Sequence, residues 1–87
     1  MSELDFKLHD LKIWPEYFKA VCDGSKRFEI RKNDRDFKVG DLLRLREWFP
    51  NTGLYSTNFT TMRVTYIVYG PAWDLPKDMV VMSLEKY

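Results

Sequence analysis

Apolar and polar residues alternate in several short stretches of this chain, and a period of two is typical of β-strands. The clearest stretch is β-branched and alternates Met62, Val64, Tyr66 and Val68 with polar residues. The pattern as a whole predicts five strands, over 6–13, 27–32, 42–49, 62–68 and 79–84. Residues 54–59 carry a weaker pattern and are interpreted as a short irregular strand or a loop.

The alternation also assigns one face of each strand to the core. In the second strand Phe28 and Ile30 are expected to point inward, which leaves Arg27, Glu29 and Arg31 as a displayed row of charges. In the third strand Leu43, Leu45 and Phe49 are expected to share one face, and in the fourth strand Met62, Val64, Tyr66 and Val68 share one face. The last strand is expected to turn Val80, Met82 and Leu84 inward.

A helical period replaces the alternation over 15–23. Pro15 suits the first helical position, and Gly24 suits the left-handed residue that ends a helix. The apolar stripe of this helix comprises Tyr17, Phe18, Val21 and Cys22. Short strands with one early helix predict an α+β, mainly β fold, a small barrel of about five to six strands with the N-terminal helix packed over it.

The composition fits one domain spanning 1–87, because 87 residues can fill one core and 45% are hydrophobic. Cys22 is the single cysteine and His9 the single histidine, so we expect no disulfide, no metal site and no cofactor. Cys22 is expected to pack in the core, and His9 to form a structural hydrogen bond where the first strand bends.

The acidic residues near the N-terminus do not fit a signal peptide, and no apolar stretch is long enough to span a bilayer. We therefore expect a cytoplasmic monomer that has no membrane partner. Residues 26–46 contain eight basic and four acidic residues, a net +4, whereas the whole chain is only +1. An anionic partner is expected to meet this middle segment.

The chemistry concentrates in the motif Gly24-x-Lys26-x-x-Glu29-x-Arg31. Glu29 and Arg31 are two apart in a strand and point the same way, so a carboxylate acceptor lies beside a forked guanidinium donor that could read a base edge. Lys26 has the same strand parity as Phe28 and Ile30, which are expected to point inward. To lie beside Glu29 and Arg31, Lys26 must therefore be in the turn after Gly24. Lys26 and Arg35 could hold phosphate.

This motif resembles the G-x-K-x-x-E-x-R signature of the ASCH family, a branch of the PUA-like superfamily of small β-barrels. The resemblance extends over most of the chain, in the segments 9–13, 15–18, 29–37, 39–41 and 64–67. It implies a PUA-like pseudobarrel with a cleft between helix and barrel. The motif would line that cleft, and RNA or a nucleotide would be the ligand.

The favoured function is a module that binds RNA, a nucleotide or a modified nucleoside. Its candidate ligand-binding residues are Lys12, Lys26, Glu29, Arg31, Asn33, Arg35 and Trp48. Two alternatives stay open at individual positions. Glu29 and Arg31 could simply pair with each other or with Arg44 and Arg46, and Trp48 could be either a stacking platform for a base or a packing residue under the helix.

Two other functions compete with binding. Some ASCH proteins are amidohydrolases that remove an acyl group from N4-acetylcytidine, and the resemblance would give Lys26 the role of base, with Glu29 beside it. The threonine that follows the motif lysine by three residues in those enzymes is replaced by Glu29 here, which favours binding over catalysis. The third function is a protein-docking domain that uses exposed aromatic residues, among them Tyr55, Tyr69 and Trp73.

Overall fold

Five strands and one α-helix make up the fold in the computed structural model, which describes residues 6–87. The strands are β1 Leu8–Ile13, β2 Phe28–Lys32, β3 Leu42–Phe49, β4 Leu54–Tyr69 and β5 Met79–Lys86. The helix is α1 Pro15–Cys22, and a single 3-10 turn covers Ala72–Asp74. The predicted α+β, mainly β fold with one early helix is confirmed.

The strands form a single sheet in the order β1-β3-β4-β5-β2, so β1 and β2 are its two outermost strands. β1 runs parallel to β3, and every other neighbouring pair is antiparallel. A parallel pair needs a long crossover, which here includes α1 and β2. The sheet curls into a half-barrel, and α1 packs against β3. This arrangement places α1 and β2 next to one another at the site described below.

The core lies on the concave face of the sheet. Val21 of α1 is buried there, and Phe18 packs against the same cluster. The other buried apolar residues are Leu11, Ile13, Phe37, Leu43, Leu45, Met62, Val64, Ile67, Val80, Met82 and Leu84. The inward face predicted for β5 is therefore confirmed. In β3, Leu43 and Leu45 share the buried face as predicted, whereas Phe49 is exposed.

The predicted orientation of β2 is wrong. Phe28 and Ile30 are 42% and 51% exposed, whereas Glu29 is buried. Glu29 pairs with Met82 of β5, whose side chain lies in the core, and cross-strand partners share a face of the sheet. A carboxylate therefore occupies an inward position of β2, and the two apolar side chains face the opposite way.

Residues 54–59 form the first part of the 16-residue strand β4 rather than a loop or a short strand, and their pairing with β3 is irregular between Tyr55 and Phe59. The predicted placement of Tyr66 on the same face as Met62 and Val64 is wrong. The pairing between β4 and β5 shifts register between Val64 and Tyr66, which indicates a bulge. A bulge moves the residues after it to the other face, so Ile67 is buried and Tyr66 is exposed.

Two predictions for single residues have different outcomes. Cys22 is exposed rather than buried, because it lies at the end of α1 beyond the residues that meet the core. His9 is buried in a strand that alternates regularly from Leu8 to Ile13, so the expected bend is absent from β1. Its ring nitrogen Nε2 lies 2.7 Å from Oδ2 of buried Asp41, which agrees with the structural role expected for His9.

Candidate ligand-binding cleft

A cleft of about 680 Å³ opens between the start of α1 and β2. The end of β1 and the turn that precedes β2 complete its walls. Its lining residues are Lys12, Ile13, Trp14, Tyr17, Lys26, Phe28, Glu29, Ile30, Arg31, Lys32 and Met79. The volume falls within the range of small-molecule sites, about 300–1,000 Å³.

One wall of the cleft is aromatic. Trp14 immediately precedes α1 and Tyr17 lies one turn later, so both side chains project from the same side of the helix start. Their rings are stacked, with centroids 6.3 Å apart and planes 23° from parallel. Both residues are 46% exposed, which leaves aromatic surface available to a ligand in the cleft.

The opposite part of the cleft holds a carboxylate between two cations. Lys26 Nζ lies 2.6 Å from Oε1 of Glu29, and Arg31 Nε lies 2.8 Å from Oε2 of the same residue. The Glu29 side chain is only 6% exposed, against 17% for Lys26 and 25% for Arg31. Each carboxylate oxygen therefore has its own charged donor, which is how a buried charge is made tolerable.

Lys26 reaches this arrangement from the turn between α1 and β2, as the sequence required. Its backbone nitrogen donates to the carbonyl of Ala20, and Gly24 adopts a left-handed φ of 85° that redirects the chain after the helix. The ammonium also donates to the carbonyl oxygen of Phe28 at 2.7 Å and lies 4.8 Å from the centre of the Phe28 ring. The turn therefore holds Lys26 just before the start of β2.

Arg31 connects the cleft to the far edge of the sheet. While its Nε bonds to Glu29, its Nη2 donates to the backbone carbonyl of Lys12 in β1 at 2.5 Å. A guanidinium has five N–H donors, so Arg31 keeps donors that are free for a ligand after these two bonds. Four cationic side chains and one carboxylate line the cleft, and the ammonium of one of these cations, Lys12, lies over the Trp48 ring on the outer face. The lining is suited to an anion.

Two comparisons relate the chain to known sequences. Residues 8–84 match a family described as a domain of unknown function, DUF3850. The chain belongs to the DUF3850 family. It is also similar to the "Uncharacterized 12.9 kDa protein in GpA 3'region" of Escherichia phage P2, with 36% identity over 67 residues. That alignment covers 77% of this DUF3850 chain and 60% of the phage protein, so the chain spans about 60% of its relative's length.

Four of the predicted site residues of this DUF3850 domain meet in the cleft: Lys12, Lys26, Glu29 and Arg31. The other three lie outside its lining. Asn33 accepts a hydrogen bond from the backbone nitrogen of Phe37, which makes it part of the turn after β2. Arg35 donates from Nη1 to the carbonyl of Asp10 in β1 at 3.1 Å. Trp48 is half-buried on β3, where the Lys12 ammonium lies 4.5 Å from its ring centre.

The aromatic wall was missed by the sequence prediction. Trp14 and Tyr17 are three residues apart across the start of a predicted helix, a spacing that places two side chains on one side. Tyr17 was assigned to the core stripe because hydrophobicity alone does not say where a short helix turns away from the sheet. Phe28 and Ile30 were also not predicted to line the cleft, because β2 was expected to turn both side chains toward the core.

Two further properties concern only residues 6–87. In this described range no His, Cys, Asp and Glu side chains come together in a group of three or more that could bind a metal. The same range contains no helix with the length and apolar character needed to cross a membrane.

Proposed function

We propose that the cleft binds a nucleotide, either free or as part of single-stranded RNA. The observation that carries this proposal is the exposed Trp14–Tyr17 stack in the same cleft as four cationic side chains. An unstacked base can lie against an aromatic ring, and each such contact is worth about 1–3 kcal/mol. The cations can hold the phosphate, and the resemblance to ASCH proteins supports the same class of ligand.

The contacts of Glu29 suggest a different role from reading a base edge. Both of its oxygens already accept a charged hydrogen bond, and its side chain is almost completely buried. Glu29 therefore positions Lys26 and Arg31, and the remaining N–H groups of Arg31 are the donors available to a base or a phosphate. The protein would then recognise the ligand through N–H groups of Arg31 that donate hydrogen bonds to acceptor atoms of the base or the phosphate.

The same contacts favour binding over hydrolysis by Lys26. A lysine that acts as a base must bring its nitrogen to the proton that it removes, whereas Nζ of Lys26 is held by its contacts with Glu29 and with the carbonyl of Phe28. Incubation with N4-acetylcytidine tests this choice. We expect no deacylation that depends on Lys26, and turnover that Lys26→Ala abolishes would replace binding with catalysis as the function.

Trp14 offers a direct measurement of binding. In a Trp48→Phe/Trp73→Phe background Trp14 is the remaining tryptophan, so its fluorescence reports on the cleft alone. Titration with adenosine monophosphate and with short oligoadenylates is expected to quench it. For single strands the log–log dependence of affinity on salt should have a slope of about −2 to −3 if three to four cations meet phosphates.

The matched variants are Trp14→Ala and Trp73→Ala, since Trp73 is highly exposed and lies outside the cleft. Their affinities are measured by isothermal titration calorimetry, because Trp14→Ala removes the fluorescent reporter. We expect Trp14→Ala to weaken binding roughly tenfold or more and Trp73→Ala to leave it unchanged. Equal affinity in the two variants, or the absence of quenching at low salt, would contradict the proposal. A cytoplasmic setting is part of the proposal, because RNA and nucleotides are abundant there and one cysteine forms no internal disulfide.

A further inference from the structure

Three cations on the convex face of the half-barrel lie over aromatic rings. The cation-to-ring distances are 4.5 Å for Lys12 over Trp48, 4.1 Å for Arg46 over Tyr55 and 5.9 Å for Arg44 over Phe59. We call these six residues the outer-face cluster. They come from the neighbouring strands β1, β3 and β4, so the cluster forms one continuous surface on the side of the sheet away from the core.

The outer-face cluster borders a concavity of its own. Its volume is about 560 Å³, and its lining residues are Arg44, Arg46, Ser56, Thr57, Asn58 and Phe59. It lies where the pairing between β3 and β4 shifts register, so β4 carries extra residues between Tyr55 and Phe59. Glu47 holds this bulge in place by accepting hydrogen bonds from Ser56 Oγ at 2.7 Å and from Asn58 Nδ2 at 3.3 Å.

The charge of the outer-face cluster suits an anion. Asp10 is the carboxylate that faces it, bonded to Arg44 Nε at 3.1 Å and to Arg46 Nη1 at 3.5 Å. Three cations against this one carboxylate give a net charge of +2. Both guanidinium groups are partly exposed and keep N–H donors that Asp10 does not use. The Glu47 carboxylate is already engaged by its hydrogen bonds from Ser56 and Asn58 in the bulge.

Lys12 connects this surface to the cleft. It lines the cleft, yet its ammonium lies over Trp48 on the outer face. Tyr55 pairs directly with Trp48 across the strands, and Phe59, beyond the bulge in β4, pairs with Arg46. Cations alternate with rings along this whole path, which is the composition of surfaces that bind single-stranded nucleic acid.

From these contacts we infer that the outer-face cluster is a second binding surface for single-stranded RNA, an inference that rests on the proposed function of the cleft. One nucleotide occupies the cleft, and the strand continues past Lys12 with further bases on Trp48, Tyr55 and Phe59. Arg44 and Arg46 meet its phosphates. A mononucleotide occupies only the cleft, so the outer-face cluster contributes affinity only to longer strands.

The experiment compares two probes, adenosine monophosphate and an oligoadenylate of about eight nucleotides, which is within the usual length for one single-strand-binding domain. The test variant is Tyr55→Ala/Phe59→Ala, and both of these side chains are exposed. The matched control is Tyr66→Ala, an exposed aromatic residue on the same strand that lies outside both concavities. Trp14→Ala reports separately on the cleft.

We expect the double variant to bind the oligoadenylate roughly tenfold or more weakly and adenosine monophosphate as tightly as the unmodified chain. Tyr66→Ala should match the unmodified chain with both probes. Unchanged oligoadenylate binding in the double variant would overturn the inference, and a loss in Trp14→Ala would then leave the cleft proposal standing. If the double variant binds the oligoadenylate more weakly but Trp14→Ala binds both probes as tightly as the unmodified chain, the cleft proposal fails and the outer-face site remains.

A second copy of the chain is the competing occupant of this surface. Sedimentation at increasing protein concentration detects it directly. Self-association that Tyr55→Ala/Phe59→Ala removes, together with unchanged oligoadenylate binding, would assign the surface to a dimer and overturn the inference. A sedimenting species of one chain at all concentrations is the expected result.

Discussion

Arg31 donates a hydrogen bond from Nη2 to the backbone carbonyl of Lys12, across the opening between the two outermost strands of the sheet. Its Nε bonds to Glu29 at the same time. Arg35 makes a similar connection to the carbonyl of Asp10. Side chains, rather than a strand-to-strand ladder, therefore join β2 and the turn after it to β1, and the edge of the half-barrel is also the wall of the cleft.

Replacing Arg31 with alanine should destabilise the fold by about 1–3 kcal/mol, because the change removes a hydrogen bond to a charged group and leaves Glu29 with one partner. Arg31→Lys should recover little of this loss, since a lysine cannot donate in two directions from one planar group. Urea unfolding of the three proteins gives the comparison.

Arg63→Ala is the matched control for that measurement. Arg63 also pairs with a glutamate on a neighbouring strand, Glu85, but both side chains are about half exposed. An exposed pair contributes under about 1 kcal/mol. Equal losses in the free energy of unfolding of Arg31→Ala and Arg63→Ala would show that the contacts across the opening stabilise the fold no more than an exposed ion pair does.

A second prediction uses the unexpected orientation of β2. Ile30→Ala should cost under about 1 kcal/mol, because Ile30 is half exposed and only its strand preference is lost. Leu45→Ala should cost about 2–5 kcal/mol, because Leu45 is completely buried in the core. Thermal or urea unfolding measures both. A cost at Ile30 as large as that at Leu45 would mean that β2 turns its apolar face inward.

This strand shows how far the sequence could predict the site. The period of two identified β2 correctly. Lys26 lies in the turn after Gly24 as predicted, although the inward parity on which that prediction rested is wrong. The direction in which β2 faces depends on whether the Glu29 carboxylate can be buried. Glu29 is buried because Lys26 and Arg31 neutralise it, and the hydrophobic pattern contains no information on that pairing.

The other misassignments also depend on interactions between distant parts of the chain. Residues 54–59 are weakly patterned, yet they form a strand because β3 supplies backbone partners, including Trp48 for Tyr55. The bulge after Val64 changes which residues face the core, and no local signal marks it. Helix α1, whose start and end have local signals in Pro15 and Gly24, was predicted to within one residue.

Asp41 should be among the most sensitive polar positions of the core. Its carboxylate accepts hydrogen bonds from the backbone nitrogens of Lys7 and Lys38, and it lies 2.7 Å from the ring of buried His9. Asp41→Ala leaves these buried groups without partners and should cost about 3 kcal/mol or more. Asp78→Ala, at an exposed carboxylate near Lys32, should cost under about 1 kcal/mol in the same unfolding assay. A small loss at Asp41 would argue against a tightly bonded polar cluster in the core.

The pH dependence of stability should show a small contribution from Asp10. A hydrogen bond from Arg44 is the main cause that lowers the pKa of the Asp10 carboxyl, and the charges of Arg44 and Arg46 lower it further against the opposing effect of burial. Because the pKa is lower in the folded chain than in the unfolded one, Asp10 adds stability at pH values above its unfolded pKa of about 3.9. That stability is lost as the pH falls through the folded pKa.

Asp10→Asn is therefore expected to be less stable than the unmodified chain at neutral pH, by under about 1 kcal/mol because the pair with Arg44 is partly exposed and screened. The difference should shrink as the pH is lowered below about 4, where the carboxyl of the unmodified chain becomes protonated. Urea unfolding of both proteins from neutral to acidic pH measures it, and added salt should reduce the neutral-pH difference. A difference that stays constant down to low pH would instead mean that the substitution acts through packing or through the backbone of β1, where the Asp10 carbonyl accepts a hydrogen bond from Arg35.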